Sequence, residues 1–304
     1  MRLSALIPLC AALLLATTAH GFDGKQTLGT GRQFNNDTIG DGRDRWQTGS
    51  YVVSVVRGPE WSGALPDRMG EIVEYRFRAA LAAPESLTNP RPGDRRYAAT
   101  LSLGAHTHFQ SGGFEHSAGI DIVGIGPMTG VPGIQTLIHD LFNGPSPTAA
   151  QALQLGNSLN PTATFEIGRP IALGERVRMR PFVETIAGVE VLARAGVDFE
   201  IGRLGLGDMM LRDVVTGQRY PGVRSPATGF GLTLGADFAA VSSSAYFPAS
   251  LGYTIADTRT RLRLGLRTQG KRFGTFYGLT YLSPEFQGQR SGQLIGSLRV
   301  NAKF

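Results

Sequence analysis

The C-terminal segment from Gln293 to Phe304 alternates between two kinds of side chain with a period of two. Its apolar positions are Leu294, Gly296, Leu298, Val300, Ala302 and Phe304. The positions between them are almost wholly polar: Gln293, Ile295, Ser297, Arg299, Asn301 and Lys303. Successive side chains of a β-strand point to opposite faces, and outer-membrane barrel strands alternate apolar-out with polar-in. The pattern, with an aromatic residue at its end, predicts a membrane-spanning barrel strand.

The same alternation recurs upstream, most clearly in Arg261–Arg267, where leucines form one face and arginines the other. Further strands are predicted at Gln33–Thr38, Trp46–Val56, Glu71–Ala82, Arg96–Thr107, Phe114–Gly124, Thr162–Arg169, Arg176–Ala187, Val189–Gly202, Gly229–Ala239, Ser244–Ile255 and Phe273–Tyr281. Single-chain bacterial barrels have even strand numbers. We therefore expect an all-β fold, a transmembrane antiparallel β-barrel of about twelve strands.

The N-terminus carries a targeting segment. Arg2 precedes an apolar run from Leu3 to Ala16, and small residues follow before Gly21. This is the pattern of a secretory signal peptide, and the run is shorter than the roughly 20 residues of a spanning helix. We predict a signal peptide over residues 1–21 and one outer-membrane barrel domain over residues 22–304. The only cysteine, Cys10, lies in the signal, so the mature chain has no disulfide and no cysteine metal site.

Charge and hydropathy fit an exported protein at a lipid surface. The formal net charge is +6, arginine far outnumbers lysine, and the mean hydropathy is −0.06. Neutral hydropathy argues against a bundle of membrane helices but is expected of barrel strands. A basic excess attracts either nucleic acid or anionic lipid, and the export signal favours the lipid. We expect an outer-membrane location and no nucleic-acid partner.

A polar block between Asn35 and Gly49 combines carboxylates and amides with glycines. Oxygen-rich, flexible segments suit calcium, although the glutamate that ends an EF-hand loop is missing. The alternative is a solvated turn with local hydrogen bonds from Asn and Asp side chains. The pattern by itself favours the turn.

One short helix is predicted over Ile134–Phe142, ended by Asn143-Gly144 and Pro145. Gln135 and His139 are four residues apart and project from the same edge of it. A lone helical histidine is more often structural than catalytic, so spacing alone leaves both roles open. Residues 143–160 are predicted to form a long polar loop.

The common hydrolase and nucleotide-binding motifs are missing from the sequence: it has no Gly-x-Ser-x-Gly, no His-Glu-x-x-His, no P-loop and no dinucleotide fingerprint. A barrel phospholipase would need a histidine and a serine on one face of a strand. His116 is followed directly by Ser117, and adjacent strand residues point to opposite faces. This spacing counts against a serine nucleophile there.

Several short segments, taken together, resemble the outer-membrane lipid A 3′-O-deacylases. They are, in order, Asn36-Asp37, then Asp44-Arg45-x-x-Thr48-Gly49, then Gly93-Asp94-Arg95 with Tyr97-Ala98, then Gly124-Ile125-Gly126-Pro127, then Gln135 with His139. They span roughly the N-terminal half of the mature chain, and the C-terminal half is similar only as a barrel. Asn143-Gly144-Pro145 stands where the family carries an acidic residue after the histidine.

The resemblance implies a twelve-stranded barrel whose active site faces the outer leaflet and cleaves an ester of lipid A with calcium as the cofactor. By matched position, His139 is implied to be the general base that activates water. Asp37 is implied to help hold the metal, and Asn36 and Thr48 to line the same site. Gln135 is implied to orient or support the histidine.

The resemblance also implies lipid A, or lipopolysaccharide, as the substrate. Arg95 and Arg96 are expected to contact its phosphates, and a monomer is expected. Two alternatives stay open: a non-enzymatic barrel, such as a pore or a surface-interaction protein, and a serine-type barrel phospholipase. A pore has no use for the set of Asn36, Asp37, Thr48 and His139, and this favours hydrolysis.

Overall fold

Fifteen strands, two short α-helices and two 3-10 turns, Pro127–Thr129 and Ala249–Leu251, make up the computed structural model, which describes residues 24–302. The strands are β1 Gln26–Asn36, β2 Trp46–Gly58, β3 Ile72–Ala83, β4 Ala98–Ser111, β5 Phe114–Ile125, β6 Ser158–Gly168, β7 Ile171–Gly174, β8 Val177–Ala187, β9 Glu190–Gly202, β10 Met209–Arg212, β11 Arg219–Val223, β12 Gly229–Ser244, β13 Thr258–Gln269, β14 Phe273–Leu282 and β15 Gln293–Ala302. The helices are α1 Val131–Phe142 and α2 Thr148–Ala152. The predicted signal peptide and the last two residues, Lys303 and Phe304, lie outside the described residues. None of the described helices has the length and hydropathy to cross a membrane.

Twelve antiparallel strands close into a barrel, as predicted. Neighbours run in the order β6-β5-β4-β3-β2-β1-β15-β14-β13-β12-β9-β8, and pairing of β6 with β8 closes the ring. Short β7 extends the edge of β6 along β8 after Arg169-Pro170, where proline supplies no N–H for a ladder bond. The first and last strands of the chain are neighbours in the ring, and Phe34 of β1 pairs with Leu298 of β15.

The two faces of the wall follow the predicted alternation. In β13, Leu262, Leu264 and Leu266 are exposed on the outside, whereas Arg261 and Arg263 are buried in the lumen. The outward leucines form part of the surface that meets lipid.

Ion pairs and an internal hairpin fill the lumen. Hairpin β10–β11 enters it from the segment between β9 and β12, and Tyr220 lies 3.0 Å from Ser54 Oγ of β2. Arg212 of the hairpin lies 2.7 Å from Asp198 and 2.5 Å from Glu166. The cavity left in the lumen near Arg194 and Arg261 measures about 100 Å³. This filling counts against the pore alternative.

Two predicted elements are wrong. No strand spans Ser244–Ile255, because β12 continues unbroken to Ser244 and the chain then turns back at Pro248. The aromatic residues there serve a cluster: Phe247 stacks on Phe286 at 5.1 Å and Tyr253 meets it edge-on. The predicted loop 143–160 contains α2 and the start of β6. The predicted helix is confirmed and begins a few residues earlier, at Val131.

Segments 37–45, 84–97, 126–157, 245–257 and 283–292 gather at one end of the barrel, which we call the outer end. At the opposite end the turns at 112–113 and 270–272 are short, segment 59–71 is a longer loop, and segment 203–228 returns into the lumen as the hairpin. Bacterial barrels carry long loops outside and short turns on the periplasmic side. The loop lengths therefore favour an orientation in which the outer end faces the cell exterior.

Candidate active site on the outer wall

Helix α1 lies against the outside of the barrel wall at the outer end. Val131 packs with Leu81 of β3 and Ala99 of β4 in one apolar cluster. Leu81 directly follows Ala80 in β3, and Arg78 and Ala80 share the face on which Arg78 is buried in the lumen. Since strand residues alternate between faces, α1 covers the membrane side of β3 and β4. The helix and its neighbours therefore stand on the outward face of the barrel wall, at its outer end.

His139 lies in the last turn of α1, and two contacts hold its ring. Asn143 caps the helix with a left-handed φ of 54°, and Gly144 N–H donates to the His139 carbonyl at 2.8 Å. The turn brings the Pro145 carbonyl oxygen to 2.6 Å from His139 Nδ1. Because a carbonyl only accepts, the neutral ring carries its proton on Nδ1 and a lone pair on Nε2. Nε2 lies 3.3 Å from Asp44 Oδ2.

Asp44 comes from the loop between β1 and β2 and links that hairpin to the helix. Burial raises the pKa of the Asp44 carboxyl, and His139 and the Thr48 hydroxyl oppose the rise. Thr48 sits at a β-bulge in β2, between Gln47, whose side chain lies in the lumen, and Gly49. A bulge adds one residue to a strand and re-aims its side chain. Here it places the Thr48 hydroxyl beside Asp44.

Asp37, directly after β1, is fully buried. Its Oδ2 accepts the Arg45 backbone N–H at 2.6 Å, and its Oδ1 has no hydrogen-bond partner within residues 24–302. Burial raises the pKa of Asp37 to about 8; the hydrogen bond from Arg45 opposes the rise, and the negative charges of Asp44 and Asp41 add to it. A buried carboxyl with a free oxygen and two acidic neighbours favours a cation.

Asn36 precedes Asp37 and lies on the outer face of β1. Its Oδ1 accepts the Thr38 N–H at 2.8 Å, which starts the loop. Gly49 pairs with it across the sheet, and a Cβ on Gly49 would lie 3.2 Å from Asn36 Nδ2. The glycine therefore leaves room for the amide.

Gln135 is buried and contacts Tyr97 rather than His139. Tyr97 Oη donates to Gln135 Oε1 at 2.8 Å, and this bond ties α1 to the wall where β4 begins. Gln135 Nε2 has no hydrogen-bond partner in the described part of the chain. Gln151 of α2 reaches the Tyr97 hydroxyl at 3.5 Å and the Thr136 hydroxyl at 3.2 Å. The Gln135 side chain therefore supports the position of the helix, whereas Pro145 and Asp44 orient the His139 ring.

Arg95 and Arg96 have different surroundings. Arg95 is buried: its Nη1 lies 2.6 Å from Glu285 Oε2, and its guanidinium lies over Phe247 at 4.8 Å. Arg96 is half-buried, and it lines a cleft of about 620 Å³ at the outer end together with Arg95, Arg91 and Arg290. Because Arg95 is held in an internal ion pair, the arrangement favours Arg96 for contact with an anionic headgroup.

Asp44, Tyr97 and Pro145 were missing from the sequence-predicted site. Asp44 and Tyr97 belong to the segments that resemble the family, so the sequence did indicate their positions, although not their roles. Pro145 contributes a backbone carbonyl, which every residue type carries, so the sequence held no signal for it. His116 stacks on Phe109 at 4.8 Å near the short turn at 112–113, far from this site.

The donors around Asp37 fit calcium better than a metal bound by nitrogen or sulfur. No group of three or more His, Cys, Asp or Glu side chains within residues 24–302 is placed to hold a metal. Calcium also accepts hydroxyl, amide and carbonyl oxygens. The free Oδ1 of Asp37, the Asp44 carboxyl and the Thr48 hydroxyl are oxygen donors of that kind.

The closed barrel and its outward histidine–carboxylate site define an outer-membrane β-barrel with a polar site on its lipid side. The family described as Outer membrane protein LpxR matches residues 6–304. The chain therefore belongs to this family, an outer-membrane family, and the predicted membership of the lipid A 3′-O-deacylases is confirmed.

A solved structure of the same family agrees with the fold. LpxR from Salmonella typhimurium superposes with a TM-score of 0.73 at 16% identity, covering 90% of this chain and 100% of that one. The NanC porin gives a TM-score of 0.42 at 5% identity, covering 91% of this chain and 100% of that one, too distant to carry an argument. No curated protein gives a significant sequence match.

Proposed function

We propose that this chain is a calcium-dependent lipid A deacylase that hydrolyses the 3′-linked acyloxyacyl ester in the outer leaflet. One observation carries the proposal: the His139 ring is fixed by a backbone carbonyl on Nδ1, with Nε2 directed at Asp44, on the membrane side of the barrel wall. A general base needs a ring held in one orientation at the surface where the lipid ester arrives, and this arrangement supports that role.

His139 acts as general base. With the proton held on Nδ1 by the Pro145 carbonyl, the Nε2 lone pair takes a proton from water, and the water oxygen bonds to the ester carbonyl carbon. The tetrahedral species collapses as the bond to the sugar oxygen breaks, and Nε2–H returns the proton to that oxygen. The products are a free acyloxyacyl acid and a sugar hydroxyl.

Asp37 would hold the calcium ion, with Asp44 and Thr48 beside it. When bound, the ion supplies a Lewis acid that polarises the ester carbonyl and stabilises the oxyanion. Asn36 lines the same hairpin, and its Nδ2 lies beside Gly49, where no side chain covers it from that position. Gln135 and Tyr97 keep α1, and with it His139, at a fixed distance from the wall.

The test is mass spectrometry of lipid A from outer membranes that carry the wild type, His139→Ala or Asp140→Ala. Asp140 is the exposed neighbour of His139 on the same helix turn and serves as the matched control. We expect the wild type and Asp140→Ala to remove one acyloxyacyl unit, and His139→Ala or chelator to prevent it. Deacylation by His139→Ala at the wild-type rate would overturn the role of His139.

A further inference from the structure

We propose that the outward face of α1 is immersed among the acyl chains of the outer leaflet. The exposed fractions of its large apolar side chains are 38% at Ile134, 53% at Leu137, 49% at Ile138 and 71% at Leu141. Residues three and four apart share one face of a helix, so these side chains form a single stripe. Contiguous exposed apolar patches of this kind mark contact surfaces, unlike scattered single residues.

The opposite face of the helix is already occupied by the barrel wall. Val131 and Gln135 are buried there, Thr136 bonds to Gln151 of α2, and His139 is half-buried at the edge of that face. The barrel wall therefore packs against the other side of α1 and does not cover the exposed stripe. Its partner comes from outside the protein.

Continuity with the membrane band identifies that partner as lipid. Met128, just before α1, and Leu159, at the start of β6, both reach over Gly124: a Cβ there would lie 3.2 Å from the Met128 methyl and 3.6 Å from a Leu159 methyl. Both are exposed, as is Leu103, further down β4 on the same outer face. The apolar surface thus rises from the barrel wall onto the helix, and the acyl chains that cover the wall cover the stripe as well.

The immersion of α1 has one consequence for catalysis. This consequence rests on the proposed function, whereas the immersion itself does not. His139 lies at the boundary between the wall-facing and lipid-facing sides of α1. A lipid ester therefore reaches it sideways from the leaflet, while its acyl chains stay in contact with the leucine stripe.

The chain is suited to single-cysteine labelling because its only cysteine lies in the predicted signal peptide. An environment-sensitive fluorophore is placed at Leu137→Cys, at Asp140→Cys as the matched control on the polar side of α1, and at Leu103→Cys as the membrane reference. The protein is reconstituted in phosphatidylcholine vesicles with or without brominated acyl chains. We expect bromine to quench position 137 about as strongly as position 103, and at least about threefold more than position 140.

Equal quenching at 137 and 140 would overturn the proposal. A fluorophore at position 137 that is shielded from both bromine and water would also overturn the proposal. That result would mean that a second copy of the chain covers the stripe, and cross-linking would detect this copy. Neither measurement requires enzyme activity, so failure of the immersed helix and failure of the proposed hydrolysis are distinguishable.

A second arm tests the sideways route. Leu137→Asn with Leu141→Asn is compared with Asp140→Asn on lipid A in vesicles and on lipid A dispersed in detergent. We expect the leucine variant to lose about tenfold in turnover in vesicles and less than about twofold in detergent, because detergent delivers the ester without the leaflet. An equal loss in both would mean that the leucines act on the site itself and would contradict the sideways route.

Discussion

Carboxylates in the lumen and carboxylates on the outer wall have opposite surroundings. In the lumen, Asp237 lies between Arg261 and Arg263, and Asp198 between Arg212 and Arg263. On the outer wall, Asp37 has only a backbone donor and a free oxygen. Lumen pairs compensate their own charge and hold the barrel, whereas Asp37 has no charged partner among the described residues, and in the proposed function a cation compensates its charge. Burial alone therefore does not separate structure from function here; the partner of each carboxyl does.

The sharpest way to break this comparison is to remove a lumen carboxylate. Asp237→Ala leaves Arg194, Arg261 and Arg263 without their shared partner, and breaking a buried pair typically costs about 3–5 kcal/mol. We expect a large fall in the free energy of unfolding in urea, followed by the heat-dependent gel shift of folded barrels. Stability within about 1 kcal/mol of the wild type would show that the lumen network is not what holds the barrel.

Replacing the Asp37 carboxylate should raise the free energy of unfolding, the opposite of the effect expected for Asp237. Because the pKa of Asp37 is raised to about 8 in the fold, the unfolded chain releases this proton near its ordinary pKa and the folded chain only near 8. Without a cation, stability is therefore lost as pH rises between those values. We expect Asp37→Asn in chelator to be more stable than the wild type by about 2 kcal/mol at pH 8, with the gap closing towards pH 4. A destabilised Asp37→Asn in chelator would contradict this.

Calcium affinity should follow the same group. A proton and a cation compete for Asp37, so the apparent affinity should rise as pH increases towards 8, by up to about tenfold per pH unit, and level off above it. Titration calorimetry of the purified protein measures this slope. Asp37→Asn should bind weakly and without the slope, and an affinity independent of pH in the wild type would remove Asp37 from the site.

The smallest predicted effect concerns the histidine ring. A Cβ at Gly144 would lie 3.1 Å from His139 Nδ1, whereas a Cβ at Gly133 of the same helix meets nothing within 4 Å. We expect Gly144→Ala to lower kcat about three- to tenfold with little change in unfolding, since small shifts of a catalytic group cost rate rather than stability. Gly133→Ala is the matched control and should keep kcat unchanged. Equal rates for the two variants would mean that the ring position tolerates this displacement.

How much the sequence could predict depends on the range of the interaction. Strand alternation is local, so the leucine and arginine faces of β13 and the barrel class could be predicted. Hairpin β10–β11 could not, because its burial depends on Tyr220 meeting Ser54 across the lumen. The prediction of a strand over Ser244–Ile255 was wrong for the same reason, because Phe247 packs on Phe286, which is far along the chain.

The candidate site divides in the same way. His139 and Asp37 stand in the resembling motifs, and their residue types suit a base and a calcium ligand. Orientation of the histidine by a backbone carbonyl depends on the turn at Asn143 and Gly144, and no residue type at position 145 would have indicated it. The internal ion pair of Arg95 with Glu285 joins two distant loops, so its burial could not be predicted either.

The most direct test of the outer-wall site is hydrolysis of purified lipid A by the purified protein with calcium, in water labelled with heavy oxygen. Mass spectrometry then locates the label in the products. Since water activated by His139 attacks the ester carbonyl, the account predicts heavy oxygen in the carboxyl group of the released acid and none in the deacylated lipid A. Release of unlabelled acid, label on the sugar, or release that survives His139→Ala would contradict it.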